Sequence, residues 1–413
     1  MAVKSAVVER WSNVIGGYLS WVMDAYDLGA VLITAPILGS LFFPRSGGLL
    51  LLLYSSLPIA FTVVFRPLGG LIFGYIGDRF GRRTSLLITV LGYSLSIGLT
   101  GFLPTYAQVG VLATIALIIL RSLQGIFIGG DISGGFTISM ESIYRLRGFF
   151  SGVFQSGVLL GFVIVDLLST YLALTLGKAY LSFGWRIIYW VGMVPAILAA
   201  FIRLSMAEPI AWVKRQRLSP FKALYPLPQV FMVMLGMWVM VYASSTFMPI
   251  FLAAVLKLPP SLYAPLLVVF NAVGIPAMII AGYASDKLGR KYAGIISAII
   301  AAASAAWFYM TVNAQNLTME LLLFGFLLNL PSGIVPAYLA ERFKTHGRAT
   351  GVGTGYNGPF IIAGWTSTII AMLSRIINPY GSAMTMFLIG ALISIVGLVI
   401  GPETRHTDLS TWG

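Results

Sequence analysis

The chain has 413 residues, of which 58% are hydrophobic and only 9% are charged, and its mean hydropathy is +0.91. A soluble domain has roughly 25% charged residues, so this composition excludes a water-soluble globular protein. Apolar stretches of about 20 residues recur along the whole chain, and each is long enough to cross a bilayer as a helix. The alternating segments of about 10 residues that a membrane β-barrel needs are absent. The sequence therefore predicts an all-α membrane protein.

The positive charge has a specific distribution along the chain. A net charge of +13 is compatible with nucleic-acid binding, but the Lys and Arg residues are concentrated in alternate short loops. This positive-inside pattern predicts a multi-pass protein of the plasma membrane with both termini in the cytoplasm. The expected macromolecular surroundings are therefore the lipid bilayer and no nucleic acid.

Several kinds of chemistry are not expected. The chain has no cysteine, and its two histidines, His346 and His406, fall in predicted cytoplasmic segments. Neither a disulfide nor a thiolate metal site can form, and the histidines cannot ligate a metal inside the membrane. There is also no Ser/His/Asp set and no phosphate-binding loop. We therefore predict no catalytic residues, no metal and no cofactor.

Taken in chain order, the apolar stretches predict twelve transmembrane helices, at 13–39, 51–77, 84–103, 107–131, 148–175, 184–205, 229–256, 261–285, 291–312, 317–340, 350–377 and 381–401. The longest connection, 206–228, contains four basic residues and four prolines. It predicts a cytoplasmic linker between an N-terminal six-helix bundle at 1–205 and a C-terminal six-helix bundle at 229–413.

An internal repeat supports this division into halves. The segment from Gly74 to Arg83 reads GYIGDRFGRR and ends the second span, and the segment from Gly282 to Lys291 reads GYASDKLGRK and ends the eighth. The offset, 282 minus 74, is 208 residues, about half of the chain. The doubled motif resembles the loop signature of the major facilitator superfamily, whose transporters contain parallel repeats of six helices.

The resemblance implies the major facilitator fold, with 12 transmembrane helices in two pseudo-symmetric bundles, and transport by alternating access. In that family the loop motif and the acidic and arginine residues after the fourth and tenth spans latch the cytoplasmic side. Carried over to this chain, the predicted latch residues are Gly74, Asp78, Arg82, Glu141, Arg147, Asp286, Arg290, Glu341 and Arg348. The alternative is that they are solvated anchors whose ion pairs contribute little individually.

Further motifs resemble those of the metabolite–proton symporters. They are the DAYD run at 24–27 in the first span, RPLGG at 66–70 in the second, and RSLQG at 121–125 in the fourth. The DAYD run and the Gly-Gly-Asp at 129–131 also resemble phosphate–proton symporters, and the aspartate pair resembles that of lactate and sialate symporters. The resemblance implies a secondary transporter, functional as a monomer, whose ligands are a small-molecule substrate and protons.

Charged residues inside membrane spans are functional candidates, because each costs several kcal/mol in a bilayer. Six such residues are the candidates, all in the N-terminal half, and the C-terminal half has no comparable mid-span charge: Asp24, Asp27, Arg66, Arg121, Asp131 and Asp166. Four carboxylates against two guanidinium groups leave two excess negative charges, and an unpaired carboxylate in a low-dielectric interior is stabilised by taking up a proton. This imbalance predicts proton coupling.

Asp27 is the first candidate for the proton carrier, Asp131 the second, and Asp24 the third. Related sugar porters have an Asp and an Arg at the positions of Asp27 and Arg121, so the resemblance implies that these two residues form a pair. The alternative is that each aspartate is a fixed counter-ion of an arginine.

The substrate of a major facilitator transporter binds near the bilayer midplane, between the halves. The predicted substrate-binding residues at that depth are Arg66, Arg121, Gln155, Tyr242, Asn271, Asn329, Tyr356 and Asn357. Arginine forks suit carboxylate or phosphate, so a mono- or dicarboxylate metabolite is favoured. The alternatives are a phosphate or sugar symporter, and less favoured, a drug or metabolite exporter. Composition alone does not exclude a passive channel.

Overall fold

The computed structural model describes residues 2–45, 48–80, 82–141, 143, 145–193, 224–313, 315–344, 348–407 and 409. This part of the chain contains helices and no strand. We number its membrane helices α1 to α12, several of which are interrupted. The first six are α1 (Ala2–Leu41), α2 (Leu49–Val64 and Arg66–Phe80), α3 (Arg82–Thr100), α4 (Val111–Glu141), α5 (Arg147–Leu176) and α6 (185–193).

The second half repeats this arrangement with more interruptions. Its helices are α7 (Leu227–Ala243, Met248–Ile250 and the π-helix Phe251–Val255), α8 (Pro260–Ala272 and Gly274–Leu288), α9 (Arg290–Thr311), α10 (Leu317–Asn329, the 3-10 helix Pro331–Ile334 and Val335–Arg342), α11 (Arg348–Asn357, Phe360–Ala363 and Thr366–Leu373) and α12 (Pro379–Ile400). A short helix, Tyr106–Val109, precedes α4, and a π-helix, Tyr180–Gly184, precedes α6.

Within the described residues, nine helical stretches are long and apolar enough to cross a membrane. The other three predicted spans correspond to α3, α6 and α11. The apolar part of α3 is the shorter segment Leu87–Thr100, α6 is described only as far as residue 193, and α11 is interrupted. Each predicted span thus overlaps one of the twelve helices. Most of the predicted linker, up to residue 223, lies outside the described residues, so the domain boundaries stay predictions.

Packing between helices explains how the halves are joined. In the N-terminal half α1 packs on α2 and α5, and in the C-terminal half α12 packs on α7 and α9. Between the halves, α5 runs along α8, and α2 contacts α11. The two halves therefore meet along two seams, with space left between them.

Glycines bring α5 and α8 into backbone contact. A Cβ atom added to Gly148 would collide with the carbonyl oxygen of Gly282, and one added to Gly282 would collide with the carbonyl oxygen of Gly148. One turn further along α5, a Cβ on Gly152 would collide with the carbonyl oxygen of Met278. In a bilayer, small residues allow this close approach and the van der Waals contact that it provides.

Contacts between the halves occur on both sides of the molecule. On the latch side, which the charge pattern predicts to be cytoplasmic, the backbone N–H groups of Gly148 and Phe149 donate to the Asp286 carboxylate at 2.8 and 2.9 Å. On the opposite side, called the outer side below, the Ser56 and Thr368 hydroxyls are 2.8 Å apart. The described structure is therefore closed by direct contacts at both ends of the interface.

We predict that Gly282→Val weakens closure on the latch side, because the added methyl groups have no room against α5. Overpacking of this kind costs about 1–3 kcal/mol, enough to open the seam at least about fivefold more often. Since the chain has no cysteine, the measurement is labelling of a single cysteine, Ser332→Cys, by an impermeant thiol reagent in inverted membrane vesicles.

Ala284→Val is the matched control, because Ala284 is half-buried two residues further along α8. It should leave the labelling rate unchanged. Equal labelling of the Gly282→Val and parent proteins would show that the glycine contact does not limit closure.

Candidate functional site

A cavity lies between the halves. It is surrounded by helix interruptions: α2 breaks at Phe65, α7 at 244–247, α10 at 330–334 and α11 at 358–359. Interrupted helices turn backbone and polar side chains towards a cavity, where the freed groups can be satisfied. The polar side chains that line it are Asp24, Arg66, Gln155, Tyr242, Ser245, Thr246, Asn329, Ser332 and Tyr356.

Arg66 is the positive charge of this cavity. It begins the second segment of α2, and Gly129 of α4 packs directly on its backbone carbonyl. The side chain is 3% exposed, and its guanidinium carbon lies 5.4 Å from the centre of the Phe360 ring. Its Nε and Nη2 atoms are buried without a hydrogen-bond partner. Since buried polar groups are normally satisfied, these two donors are available to an anionic ligand.

Aromatic rings form one wall of the cavity. The Trp238 ring centre lies 4.8 Å from that of Tyr356 and 4.6 Å from that of Phe360. The Trp238 indole N–H donates to the Tyr356 carbonyl at 2.9 Å, which fixes the ring, and Trp21 of α1 adds an edge contact to Tyr356 at 5.9 Å. Of these, Trp21, Trp238 and Phe360 were not among the predicted site residues. Pro359 and Gly358 at the break in α11 were the sequence signal for Phe360.

Asp24 and Asp27 occupy different environments although both are on α1. Asp24 lines the cavity. Asp27 does not; it is 2% exposed, and neither of its carboxyl oxygens has a hydrogen-bond partner. Arg66 and Arg121 are the positive groups electrostatically close to it, and Gln124 lies beside it. Asp27 is thus a buried acid within reach of two cations.

Arg121 is fully buried in α4. It donates to the Thr100 hydroxyl and to the Ser96 carbonyl at 3.5 Å, and its guanidinium lies 5.5 Å from the centre of the Tyr189 ring. Among the described residues no ion pair joins it to Asp27, and it does not line the cavity. Its predicted pairing and its role in substrate binding stay predictions.

Two predicted substrate-binding amides lie at contacts between the halves, outside the cavity lining. Asn357 donates to the Gly129 carbonyl at 3.4 Å, and Asn271 donates to the Asp166 carboxylate at 2.7 Å. Gln155, Tyr242, Asn329 and Tyr356 do line the cavity, and their role in substrate binding stays a prediction. The side chain of Asp131 lies outside the described residues. In the described part of the chain, no group of three or more potential metal ligands occurs.

Three predicted latch residues of the C-terminal half, Asp286, Arg290 and Glu341, form one cluster with Arg147. Arg290 is 3.2 Å from Glu341 and 2.8 Å from Asp286, and Glu341 also pairs with Arg147 of the other half at 2.9 Å. Because Glu341 is completely buried, removal of either arginine would leave a charge poorly compensated. The cluster therefore links α5, α8, α9 and α10.

Among the other predicted latch residues, the structure describes the side-chain contacts of Arg348. Arg348 donates to the Phe343 carbonyl at 3.1 Å. The surroundings of Gly74 and the side chains of Asp78, Arg82 and Glu141 lie outside the described part of the chain. Glu403 and Thr404, beyond α12, were not predicted. Glu403 accepts the backbone N–H groups of Arg290 and Lys291 at the start of α9, and Thr404 donates to Glu341 at 2.8 Å.

Comparison with known proteins identifies the family to which this chain is related. Residues 51–364 match the Major Facilitator Superfamily profile. The chain is 27% identical over 416 aligned positions to the shikimate transporter of Escherichia coli K12, covering 95% of this chain and 94% of that protein. It is also 27% identical over 416 positions to the proline/betaine transporter of Salmonella typhimurium LT2, covering 93% and 81%.

Solved structures show the same fold. The xylose transporter XylE from E. coli, in a partially occluded inward-open conformation, superposes with a TM-score of 0.76 at 17% identity, covering 97% of this chain and all of that one. The human organic anion transporter MFSD10 gives 0.71 at 14% identity, covering 94% and 99%. The predicted fold is confirmed, and the chain, a multi-pass α-helical membrane protein, belongs to the Major Facilitator Superfamily.

Proposed function

We propose that this transporter imports a small carboxylate-bearing metabolite together with protons, and that Arg66 binds the carboxylate. The observation that supports the proposal is the buried guanidinium in the central cavity, with two donors that lack a protein partner. A carboxylate would accept from both in the bidentate geometry that arginine prefers. Tyr242 and Tyr356 in the same lining supply further donors.

For proton coupling, Asp27 is the proposed carrier. Its carboxyl group is 2% exposed and has no hydrogen-bond partner, a costly state for an ionised group away from water. Binding of a proton removes this cost, and hydration after the halves separate permits its release. Arg66 lies close enough to act on Asp27 electrostatically, so an anion bound to Arg66 would reduce the field at Asp27 and favour protonation there. Substrate and proton would then bind together.

The lining also supports a second candidate, a zwitterion that contains both a carboxylate and a cationic nitrogen. Asp24 provides a negative charge in the cavity, and a cation over the faces of Trp238 and Tyr356 would gain about 0.5–2 kcal/mol. The related proteins include a shikimate transporter and a proline/betaine transporter, which represent the two alternatives.

The function is tested by uptake into proteoliposomes under an imposed inward pH gradient. Shikimate, glycine betaine, inorganic phosphate and xylose are compared in the same vesicles. We expect a carboxylate-bearing compound to accumulate, and collapse of the gradient with a protonophore to abolish the accumulation. Accumulation of phosphate or xylose alone would overturn the carboxylate assignment, and accumulation unaffected by the protonophore would overturn proton coupling.

We predict that Arg66→Gln weakens substrate binding by about 10- to 100-fold, because a hydrogen bond to a charged group contributes about 1.5–3 kcal/mol. Binding is measured by displacement of a labelled substrate from detergent-solubilised protein. Arg375→Gln is the control, because Arg375 is an exposed arginine of the outer side. Equal affinity of the Arg66→Gln and parent proteins would remove Arg66 from the site.

We predict that Asp27→Asn abolishes accumulation against a gradient while exchange of substrate across the membrane continues, because the amide cannot carry a proton but has a similar shape. The measurement is pH-driven uptake followed by counterflow in the same proteoliposomes. Glu320→Gln removes another buried carboxyl, one that accepts from Asn313 in the α9–α10 connection, and should accumulate substrate normally. Full concentrative uptake by Asp27→Asn would contradict the assignment.

A further inference from the structure

A second, smaller chamber lies between α1 and α5 of one half and α7 and α8 of the other. Phe162 and Ser245 line both this chamber and the central cavity, so the two spaces adjoin. Asp166 lines only the smaller chamber. It is four residues beyond Phe162 on α5, about 6 Å further from the latch. The chamber is therefore on the outer side of the substrate cavity.

Asp166 forms a direct contact between the halves in this chamber. The Asn271 amide of α8 donates to its carboxylate at 2.7 Å. Asp166 is 3% exposed and Asn271 is 6% exposed, so closure of the outer side has removed both from water. The Asn271 amide oxygen is also buried and has no hydrogen-bond partner. The chamber thus contains an acid and, beside it, an unused hydrogen-bond acceptor.

Among the residues that the structure describes, no countercharge faces Asp166. In the described part of the chain it has no ion pair, and α1 and α7 contribute only uncharged residues to the chamber. The titratable groups electrostatically close to it are two tyrosines: Tyr180, which pairs with Ser169 at 2.6 Å, and Tyr263, which donates to the Ile33 carbonyl at 3.3 Å. Tyrosines stay neutral below about pH 10, so neither compensates an ionised carboxylate.

We propose that Asp166 is a second proton-binding site, and that the outer side closes only when Asp166 holds a proton. Enclosing an ionised carboxylate with one amide donor and no cation is costly. A protonated carboxyl avoids this cost, still accepts the Asn271 N–H, and brings a donor to the chamber with the unused amide oxygen. When the halves separate on the outer side, water solvates the ionised form and the proton can exchange with the medium.

Such a site prevents the carrier from closing its outer side without a proton. The inference rests on the proposed proton coupling but concerns a different residue and a different step from Asp27. It is tested through closure itself, without substrate. The experiments therefore distinguish a failure of the Asp27 assignment from a failure of the Asp166 assignment.

The reporter is a single cysteine, Ser245→Cys, which lines the chamber in a chain with no other cysteine. Intact cells are treated with an impermeant thiol reagent at about pH 5.5 and about pH 8.5. Rates are divided by those of a Ser182→Cys protein, whose exposed outer position corrects for thiol ionisation. We expect the corrected rate to be at least about fivefold higher at the higher pH, because the ionised carboxylate keeps the outer side open.

In the same reporter, Asp166→Asn should label slowly at both pH values, because a permanently neutral side chain permits closure. Asp166→Glu, which keeps a titratable group, should restore the pH ratio. Thr170→Val is the matched control; its hydroxyl bonds only to the Asp166 backbone carbonyl, and the variant should retain the parent ratio. An unchanged ratio in Asp166→Asn would overturn the proposal, as would loss of the ratio in both Asp166 variants, which would indicate a structural role.

Discussion

The low-dielectric interface between the two halves is the constraint on which the rest of the structure depends. Closure of the halves withdraws charged side chains from water, and each one must then find a partner, bind a ligand or exchange a proton. The buried Glu341 carboxylate is compensated by ion pairs with Arg147 and Arg290. Arg66, Asp27 and Asp166 have no such ion pair among the described residues. In the proposed mechanism, these three groups change state when a substrate or a proton arrives.

Helix geometry places these groups. Continuous helices satisfy their backbone internally and offer the interface only side chains. The interruptions in α2, α7, α10 and α11 occur where the helices border the central cavity, and they allow Arg66, Ser245 and Tyr356 to approach a common space. Glycines on α5 and α8 have the complementary role, because they allow the backbones to meet at the latch side and seal the same interface.

The halves differ in what they contribute. The N-terminal half provides Asp24, Arg66 and the adjoining Asp27, whereas the C-terminal half provides aromatic rings and neutral polar groups to the same cavity. At the latch, both halves contribute described charges, since Asp286 and Glu341 of the C-terminal half engage the backbone at the start of α5 and the Arg147 side chain. A substrate bound between the halves would therefore contact charged groups of the N-terminal half and mostly neutral, aromatic groups of the C-terminal half.

Sequence alone determined the membrane class, the approximate position of each span, and the two-half repeat. The length of an apolar run and the spacing of a motif are local properties that can be read without the fold. It also identified Arg147, Asp286, Arg290 and Glu341, which lie together in the structure. These are charges at helix ends, where the repeated motif marks them directly.

Tertiary structure decided which mid-span polar groups face the cavity. Asp24 and Asp27 differ by about 60° around one helix, yet only Asp24 lines the cavity. Asn271 lies against Asp166 instead. The rotation of each helix, and the position of each break, are set by packing against segments far away in the chain. For this reason Asp166, which was not among the three candidate proton carriers, forms a contact between the halves that no local sequence pattern encodes.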